Sequence, residues 1–104
     1  MTSQDQEIQM THNKEKNRFE FDLEDHKKGV VKYERSGHKM RLTHTQIPKE
    51  IRGKGYGKTM AEMTLEEIER MRMKVIPQCP FIDYYIENNP KWESLVYHTS
   101  SEMN

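Results

Sequence analysis

The sequence has a single cysteine, Cys79, and no long apolar run. One cysteine cannot build an internal disulfide framework, and no stretch approaches the ~20 apolar residues of a membrane-spanning helix. Basic and acidic residues number 17 each, so the formal net charge is zero. A neutral chain lacks the field that would attract nucleic acid or an anionic membrane by itself. We therefore expect a soluble protein of the cytoplasm or nucleus that binds neither.

Apolar residues are also scarce, at 33% of the 104 positions. Residues 1–17 are almost entirely polar and lack the features of a signal or transit peptide, so we expect a disordered N-terminal tail. Residues 99–104 are expected to be a disordered C-terminus. Residues 18–98 then form one small domain with a thin core. The five histidines show no paired spacing typical of a metal site, so no metal is expected.

Three strands are predicted at the start of this domain. Apolar and charged residues alternate in RFEFDLE, which begins at Arg18, as in a half-buried strand. VVKYER, residues 30–35, forms a second strand, and the Ser36-Gly37 turn leads into a third, MRLTHTQI. The three strands make an antiparallel meander.

Side-chain alternation in the third strand predicts which residues share a face. Met40, Leu42 and His44 fall on one face, and Arg41, Thr43 and Thr45 on the other. His44 is thus predicted at the end of an apolar row.

The second half of the chain changes period. From Gly55 to about Met73 apolar residues recur at helical spacing. A short strand follows at residues 73–77, parallel to the third strand if the helix crosses the sheet in the usual way. Pro80 then opens a C-terminal helix that ends near Pro90. The fold class predicted is a compact α+β domain.

The stretch IRGKGYGKTM, residues 51–60, contains three glycines, two lysines and an arginine before the long helix. Glycine loops at helix N-termini bind phosphates through backbone amides. The spacing is one residue short of the Walker A loop and also fails the dinucleotide fingerprint. The pattern that remains is Arg-x-x-Gly-x-Gly, Arg52 to Gly57.

That pattern, between a strand and an amphipathic helix, resembles the acyl-CoA-binding core of the GNAT N-acetyltransferase superfamily. Over roughly residues 18–97, LTHTQIPKEIRGKGYG and KVIPQCPFIDYYIENNP resemble the small, minimal GNAT-like family related to the bacterial YjdJ proteins. The family often has His-Pro where this chain has Asn89-Pro90. The early helices with which larger relatives clasp their amine substrates are missing, which leaves the acceptor undefined.

The resemblance implies a site for acetyl-CoA. The loop amides would hold the pyrophosphate, and the pantetheine arm would lie where the third and fourth strands splay apart, with the thioester toward His44 and Cys79. The implied cofactor-binding residues are Thr45, Ile47, Arg52, Gly53, Lys54, Gly55, Tyr56, Gly57 and Lys58.

Two residues are candidates for catalysis. Cys79 precedes a helix, whose dipole favours a thiolate, although a free cysteine is most often a small buried hydrophobe. His44 is by default a hydrogen-bonded core residue, yet its intrinsic pKa suits a general base. The aromatic residues Phe81, Tyr84, Tyr85 and Trp92 are predicted to belong mainly to the core.

Two functions therefore stay open. The first is an N-acetyltransferase that moves an acetyl group to a primary amine, by direct attack or through acyl-Cys79. The second is a non-catalytic acyl-CoA-binding or protein-interaction module. For the enzyme, an open cleft favours a lysine on another protein as acceptor, and Asp83, Glu87 and Glu93 would attract a basic segment.

Overall fold

The computed structural model describes residues 8–98. Its strands are β1 (Gln9–Asn13), β2 (Arg18–Asp22), β3 (Lys28–Ser36), β4 (Lys39–Gln46) and β5 (Lys74–Pro77), its helices are α1 (Tyr56–Arg70) and α2 (Pro80–Glu87), and its 3₁₀ turns are Glu24–His26, Lys49–Ile51 and Pro90–Leu95. The predictions for residues 1–7 and 99–104 lie outside the described residues.

The strands form one sheet in the order β1-β2-β3-β4-β5. Neighbouring strands from β1 to β4 are antiparallel, and β5 pairs parallel with β4 after the α1 crossover. This confirms the predicted α+β class, the meander, and the parallel strand after the helix. An α-helical connection is the usual way to join parallel strands.

β1 corrects the predicted extent of the N-terminal tail, because Gln9–Asn13 is a strand inside the segment 1–17 that the sequence indicated as disordered. Met10 lies opposite Phe21, and the His12 ring stacks on Phe19 with 4.4 Å between ring centroids. Backbone pairing with β2 supplies the hydrogen bonds that the polar sequence of β1 does not reveal. A composition argument cannot detect such an edge strand, since it counts side chains only.

The core lies on one side of the sheet. Buried sheet residues include Phe19, Phe21, Val31, Tyr33, Met40, Leu42 and Val75. They meet the inner face of α1, where Met60, Leu65 and Ile68 are fully buried at helical spacing. Burial of each large side chain contributes roughly 1.5–3 kcal/mol. This single layer of contacts is the thin core that the composition predicted.

Helix α1 begins at Tyr56 and ends at Arg70, short of the predicted end at Met73. Arg72 has φ of 62°, the left-handed conformation that commonly terminates a helix. Residues after α2 return to the sheet, because the Tyr97 amide donates to the Val75 carbonyl at 2.8 Å.

The other side of the sheet carries polar side chains and is covered by no described helix. Ion pairs cross it between Arg18 and Glu20, Lys28 and Asp22, and Arg41 and Glu34. We call it the open face. No helix within residues 8–98 is long and apolar enough to cross a membrane.

Candidate functional site

A β-bulge in β4 decides which side chains face the core near the site. Tyr33 of β3 lies opposite Leu42, and Lys32 lies opposite His44, so Thr43 is an extra residue without a partner. An extra residue reverses the alternation beyond it. The prediction that His44 shares the face of Met40 and Leu42 is therefore wrong.

Thr45 takes the place that alternation assigned to His44. It lies opposite the fully buried Val31, on the core side, and is half-buried. His44 is exposed on the open face, with its Nδ1 atom 3.1 Å from the Thr43 hydroxyl oxygen. The two side chains thus lie on opposite sides of the sheet.

Strands β4 and β5 separate at this bulge. Their pairing ends with Leu42 opposite Pro77, and the Cys79 amide then donates to the Leu42 carbonyl at 2.8 Å. Beyond that bond, the rest of β4 has no partner on the β5 side in the described chain. A cavity of about 220 Å³ lies beyond the separation, lined by Thr45, Ile47, Arg52 and Phe81.

Cys79 lies at the base of this separation, immediately before α2. It is 5% exposed, and its sulfur is 3.4 Å from the Thr45 hydroxyl oxygen. The Cys79 carbonyl accepts from the Asp83 amide at 3.0 Å, which starts the helix. The structure therefore brings Cys79 to Thr45, while His44 faces the other side of the sheet.

The glycine loop adopts positive φ angles, which favour glycine over any residue with a side chain. Gly53 and Gly55 have φ of 86° and 89°, and a Cβ on either would meet no atom within 4 Å. Gly55 is the N-cap of α1, no side chain caps the helix, and the first turn contains no acidic residue. The first amides of α1 are thus available to an anion together with the positive end of the helix dipole.

The three basic side chains of this region have different surroundings. Arg52 donates from Nε to the Ile47 carbonyl at 3.0 Å and lines the cavity next to Thr45. Lys58 lines a second cavity, between α1 and α2. Lys54 is ion-paired with Glu24, with 2.8 Å between Nζ and Oε2.

Glu24 also accepts from the Tyr56 hydroxyl at 2.8 Å. The hydrogen bond from Lys54, followed by that from Tyr56, lowers the pKa of the Glu24 carboxyl. The bond to Glu24 raises the pKa of Lys54 and that of the Tyr56 hydroxyl. Glu24 therefore ties two residues of the loop to the turn between β2 and β3, a contact that sequence analysis missed because it spans 30 positions.

Gly57 allows a close approach between α1 and α2. A Cβ there would lie 2.8 Å from the Cζ atom of Phe81, too close for any other residue without a shift.

Phe81 is 37% and Tyr84 is 65% exposed, so the prediction that both belong to the core is wrong. Ile82 and Ile86 form the buried side of α2 instead, and Trp92 is buried as predicted.

The second cavity, of about 420 Å³, uses these exposed aromatic rings. It is lined by Lys58, Glu62, Phe81, Tyr84, Tyr85, Asn88 and Asn89. Burial and then the charge of Glu62 raise the pKa of the Tyr85 hydroxyl. Helical spacing could have found this lining, since Ile82 and Ile86 mark the inward direction and leave Phe81 and Tyr84 outside it. Among residues 8–98, no group of His, Cys, Asp and Glu could hold a metal ion.

Comparison with known proteins identifies the family and the fold of this chain. Residues 18–95 match the family model of GCN5-related N-acetyl-transferases. Protein NATD1 of Gallus gallus is 31% identical over 85 residues, which cover 80% of this chain and 77% of that protein. NATD1 of Homo sapiens is 29% identical over 85 residues, which cover 80% of this chain and 75% of that protein. The NMR structure of a GCN5-like protein from Staphylococcus aureus aligns over 90% of both chains with a TM-score of 0.64 and 21% identity, which is a likeness of fold.

Proposed function

The chain belongs to the GCN5-related N-acetyltransferase family, and we propose that it takes its acetyl group from acetyl-CoA and transfers it to a primary amine, specifically a protein lysine. One observation carries the proposal: an uncapped helix N-terminus with an open, positive-φ glycine loop lies beside the separation of β4 and β5. The pyrophosphate of the donor needs the helix N-terminus, and its extended thioester arm needs the adjacent separation of the strands.

The loop residues divide into those that would touch the donor and those that would support the loop. Gly53, Gly55 and Gly57 give backbone access, and Arg52 and Lys58 add charge next to the two cavities. Lys54 and Tyr56 are held by Glu24, so their role in this proposal is to order the loop.

The pantetheine arm would occupy the cavity at Thr45 and Ile47, which faces the helix side of the sheet. The larger cavity at Phe81 and Tyr84 would take the adenosine end, since a nucleobase can stack on an exposed ring. Phe81 lines both cavities and would lie at the middle of the bound donor.

For transfer, the neutral amine nitrogen attacks the thioester carbonyl, the C–N bond forms and the C–S bond breaks. CoA leaves as a thiolate, which takes up, directly or through water, the proton that the new amide nitrogen loses. The amine must first lose a proton, which at neutral pH costs roughly 4.6 kcal/mol for a lysine with a pKa of about 10.4. We propose that His44, or a water molecule next to it, accepts this proton. His44 suits this role because it is exposed on the open face, where an acceptor can approach from the side of the sheet opposite the donor cavity.

The alternative route forms a thioester on Cys79 before the amine attacks. Cys79 lies at the correct end of the cavity, but it is 5% exposed and packs against Thr45. A nucleophile needs access to the carbonyl carbon, so we propose direct attack as the main route. The non-catalytic alternative, a module that binds acyl-CoA or a protein partner, predicts donor binding or docking without any acetyl transfer.

Titration calorimetry with acetyl-CoA tests the donor site. Gly55→Glu should abolish binding, because the new side chain is negative and is held at φ of 89°. Gly37→Glu is a matched control, since Gly37 also has positive φ and open space but lies in the turn between β3 and β4. No binding by the natural chain at millimolar ligand, or equal loss in both variants, would contradict the proposal.

A further inference from the structure

The open face of the sheet carries an excess of positive charge. Strand register places on it the basic residues Arg18, Lys28, Lys32, Lys39, Arg41 and Lys74 and the acidic residues Glu20, Asp22 and Glu34. Each of these three carboxylates is ion-paired with a basic residue of the same face. Three lysines, Lys32, Lys39 and Lys74, are left without a carboxylate to balance them among these residues.

A cavity of about 280 Å³ concentrates this charge at one end of the face. It is lined by Glu34, Arg35, Ser36, Lys39, Arg41 and Ile76. The lining contains three cations and one carboxylate, and two of these groups, Arg41 and Glu34, are paired with each other. Arg35 lies opposite Met40 in the strand register and also lines the cavity, its Nε donates to the Gly37 carbonyl at 3.4 Å, and it has no ion pair among residues 8–98. We call it the basic cavity.

His44 lies on the same face, three residues beyond Arg41 along β4. Because Thr43 is the extra residue of the bulge, Arg41 and His44 lie opposite Glu34 and Lys32, which are two positions apart on β3 and span about 7 Å. Lys32 lies directly opposite His44, so the surface next to the proposed base is also positively charged. The basic cavity and His44 are thus spaced like two nearby side chains of one extended peptide.

The donor would enter from the other side. Its cavity is lined by Thr45 and Phe81, and Thr45 lies on the core side of the sheet. No described helix covers the open face at the bulge, so an acceptor can approach His44 there.

We propose that the open face docks an acidic, extended segment of the acceptor protein. The acceptor lysine lies at His44, and an Asp or Glu two positions away, on the same side of the extended segment, enters the basic cavity. This inference rests on the proposed acetyltransferase function. It differs from the sequence-based expectation of a basic segment attracted by Asp83, Glu87 and Glu93, which lie on α2 and in the turn Pro90–Leu95 and not on the open face.

A carboxylate fits this surface better than a nucleic acid does. Arginine binds carboxylates in a planar, two-bonded geometry, and the cavity offers Arg35 and Arg41. Stable binding of nucleic acid requires many neutralised phosphates. The three ion-paired carboxylates of the open face would oppose a phosphate backbone along its length.

Two peptides with a single lysine test the proposal, one with Glu two positions from the lysine and one with Gln, which has the size of Glu but no charge, at the same position. Acetyl transfer should show kcat/KM about three- to fivefold higher for the Glu peptide, mainly through KM, as expected of an exposed ion pair. Arg35→Glu should remove this preference, and Glu34→Gln should widen it. Lys16→Glu, the same charge change at the exposed turn between β1 and β2, should leave it unchanged.

Acetyl-CoA affinity is measured for every variant, because it separates the two proposals. Loss of binding by the natural chain overturns the proposed function itself. Donor binding without transfer to either peptide is the outcome of the non-catalytic alternative and overturns the proposed function as well. With donor binding and transfer intact, absence of a preference for the Glu peptide or an unchanged preference in Arg35→Glu overturns the docking surface. Stronger competition by a single-stranded oligonucleotide than by the Glu peptide also overturns it.

Discussion

The hydroxyl oxygen of Thr45 lies 3.4 Å from the sulfur of Cys79, at the point where β4 leaves β5. The contact joins residues 34 positions apart, and one of them, Thr45, lines the cavity proposed for the donor. It also fills the space around the sulfur, which is why Cys79 is buried although it precedes a helix.

We therefore expect Cys79 to be dispensable for chemistry. Protein incubated with acetyl-CoA alone should show no added acetyl mass on the peptide that contains Cys79, and Cys79→Ala should keep most of its acetyl transfer. The physical reason is the limited access to a sulfur that is 5% exposed. Intact-protein and peptide mass spectrometry measure the adduct. An acetyl adduct, together with loss of turnover in Cys79→Ala but not in Thr45→Val, would establish the covalent route instead.

His44→Gln should lower kcat by roughly 100-fold, the lower end of what a general base contributes. Acetyl-CoA affinity should stay the same, because His44 lies on the opposite side of the sheet from the donor cavity. Steady-state kinetics with an acceptor peptide, combined with calorimetry, give both values. His38→Gln is the control, since His38 is an exposed histidine of the neighbouring turn. Equal rates in the natural chain and His44→Gln would leave proton removal to solvent.

Glu24→Ala should weaken acetyl-CoA binding several-fold, since it releases both Lys54 and Tyr56 from the turn that orders the loop. Tyr56→Phe should lose less acetyl-CoA affinity, because it removes only one of the two contacts with Glu24. Glu50→Gln, an exposed glutamate in the 3₁₀ turn before the loop, controls for the removed negative charge. Tighter binding in both Glu24→Ala and Glu50→Gln would mean that charge, and not the order of the loop, is what Glu24 contributes.

His12 should make the protein less stable in acid. Its Nε2 atom lies 2.6 Å from the Tyr33 hydroxyl, and burial, then the charge of Lys14, lowers the pKa of its ring below the ordinary 6.5. The unfolded chain therefore binds a proton at higher pH than the folded chain does. The stability that neutral His12 contributes is fully present above about pH 6.5. It is lost as the pH falls toward the lowered pKa of the folded state.

Urea unfolding at about pH 7.5 and about pH 5 measures this loss, which should be below about 1 kcal/mol because the His12 ring is only half-buried and solvent screens part of the effect. His12→Gln should reduce the difference between the two pH values, and His38→Gln should not. An unchanged difference in His12→Gln would assign the acid sensitivity to the carboxylates.

Local pattern in the sequence was sufficient for most of the fold. Alternation in RFEFDLE, helical spacing after Gly55 and the prolines at 80 and 90 depend on neighbours within a few positions. These local signals predicted β2, α1 and α2, and β5 followed from the strand expected after the helix. Arg52 to Gly57 pointed to the loop for the same reason, because φ above zero is a local demand that glycine meets. β1 escaped prediction, since its polar sequence is stabilised by hydrogen bonds to β2.

The site itself depended on tertiary contacts. A single extra residue, Thr43, exchanged the sides of His44 and Thr45, and no pattern within β4 reveals a bulge that is defined only by its pairing with β3. The Glu24 contacts and the Thr45–Cys79 contact join segments 30 to 34 positions apart. The amino-acid sequence by itself thus determined which residues are available for the chemistry. The tertiary structure decided which side of the sheet each one faces, because pairing and packing between distant segments set the direction of every side chain at the site.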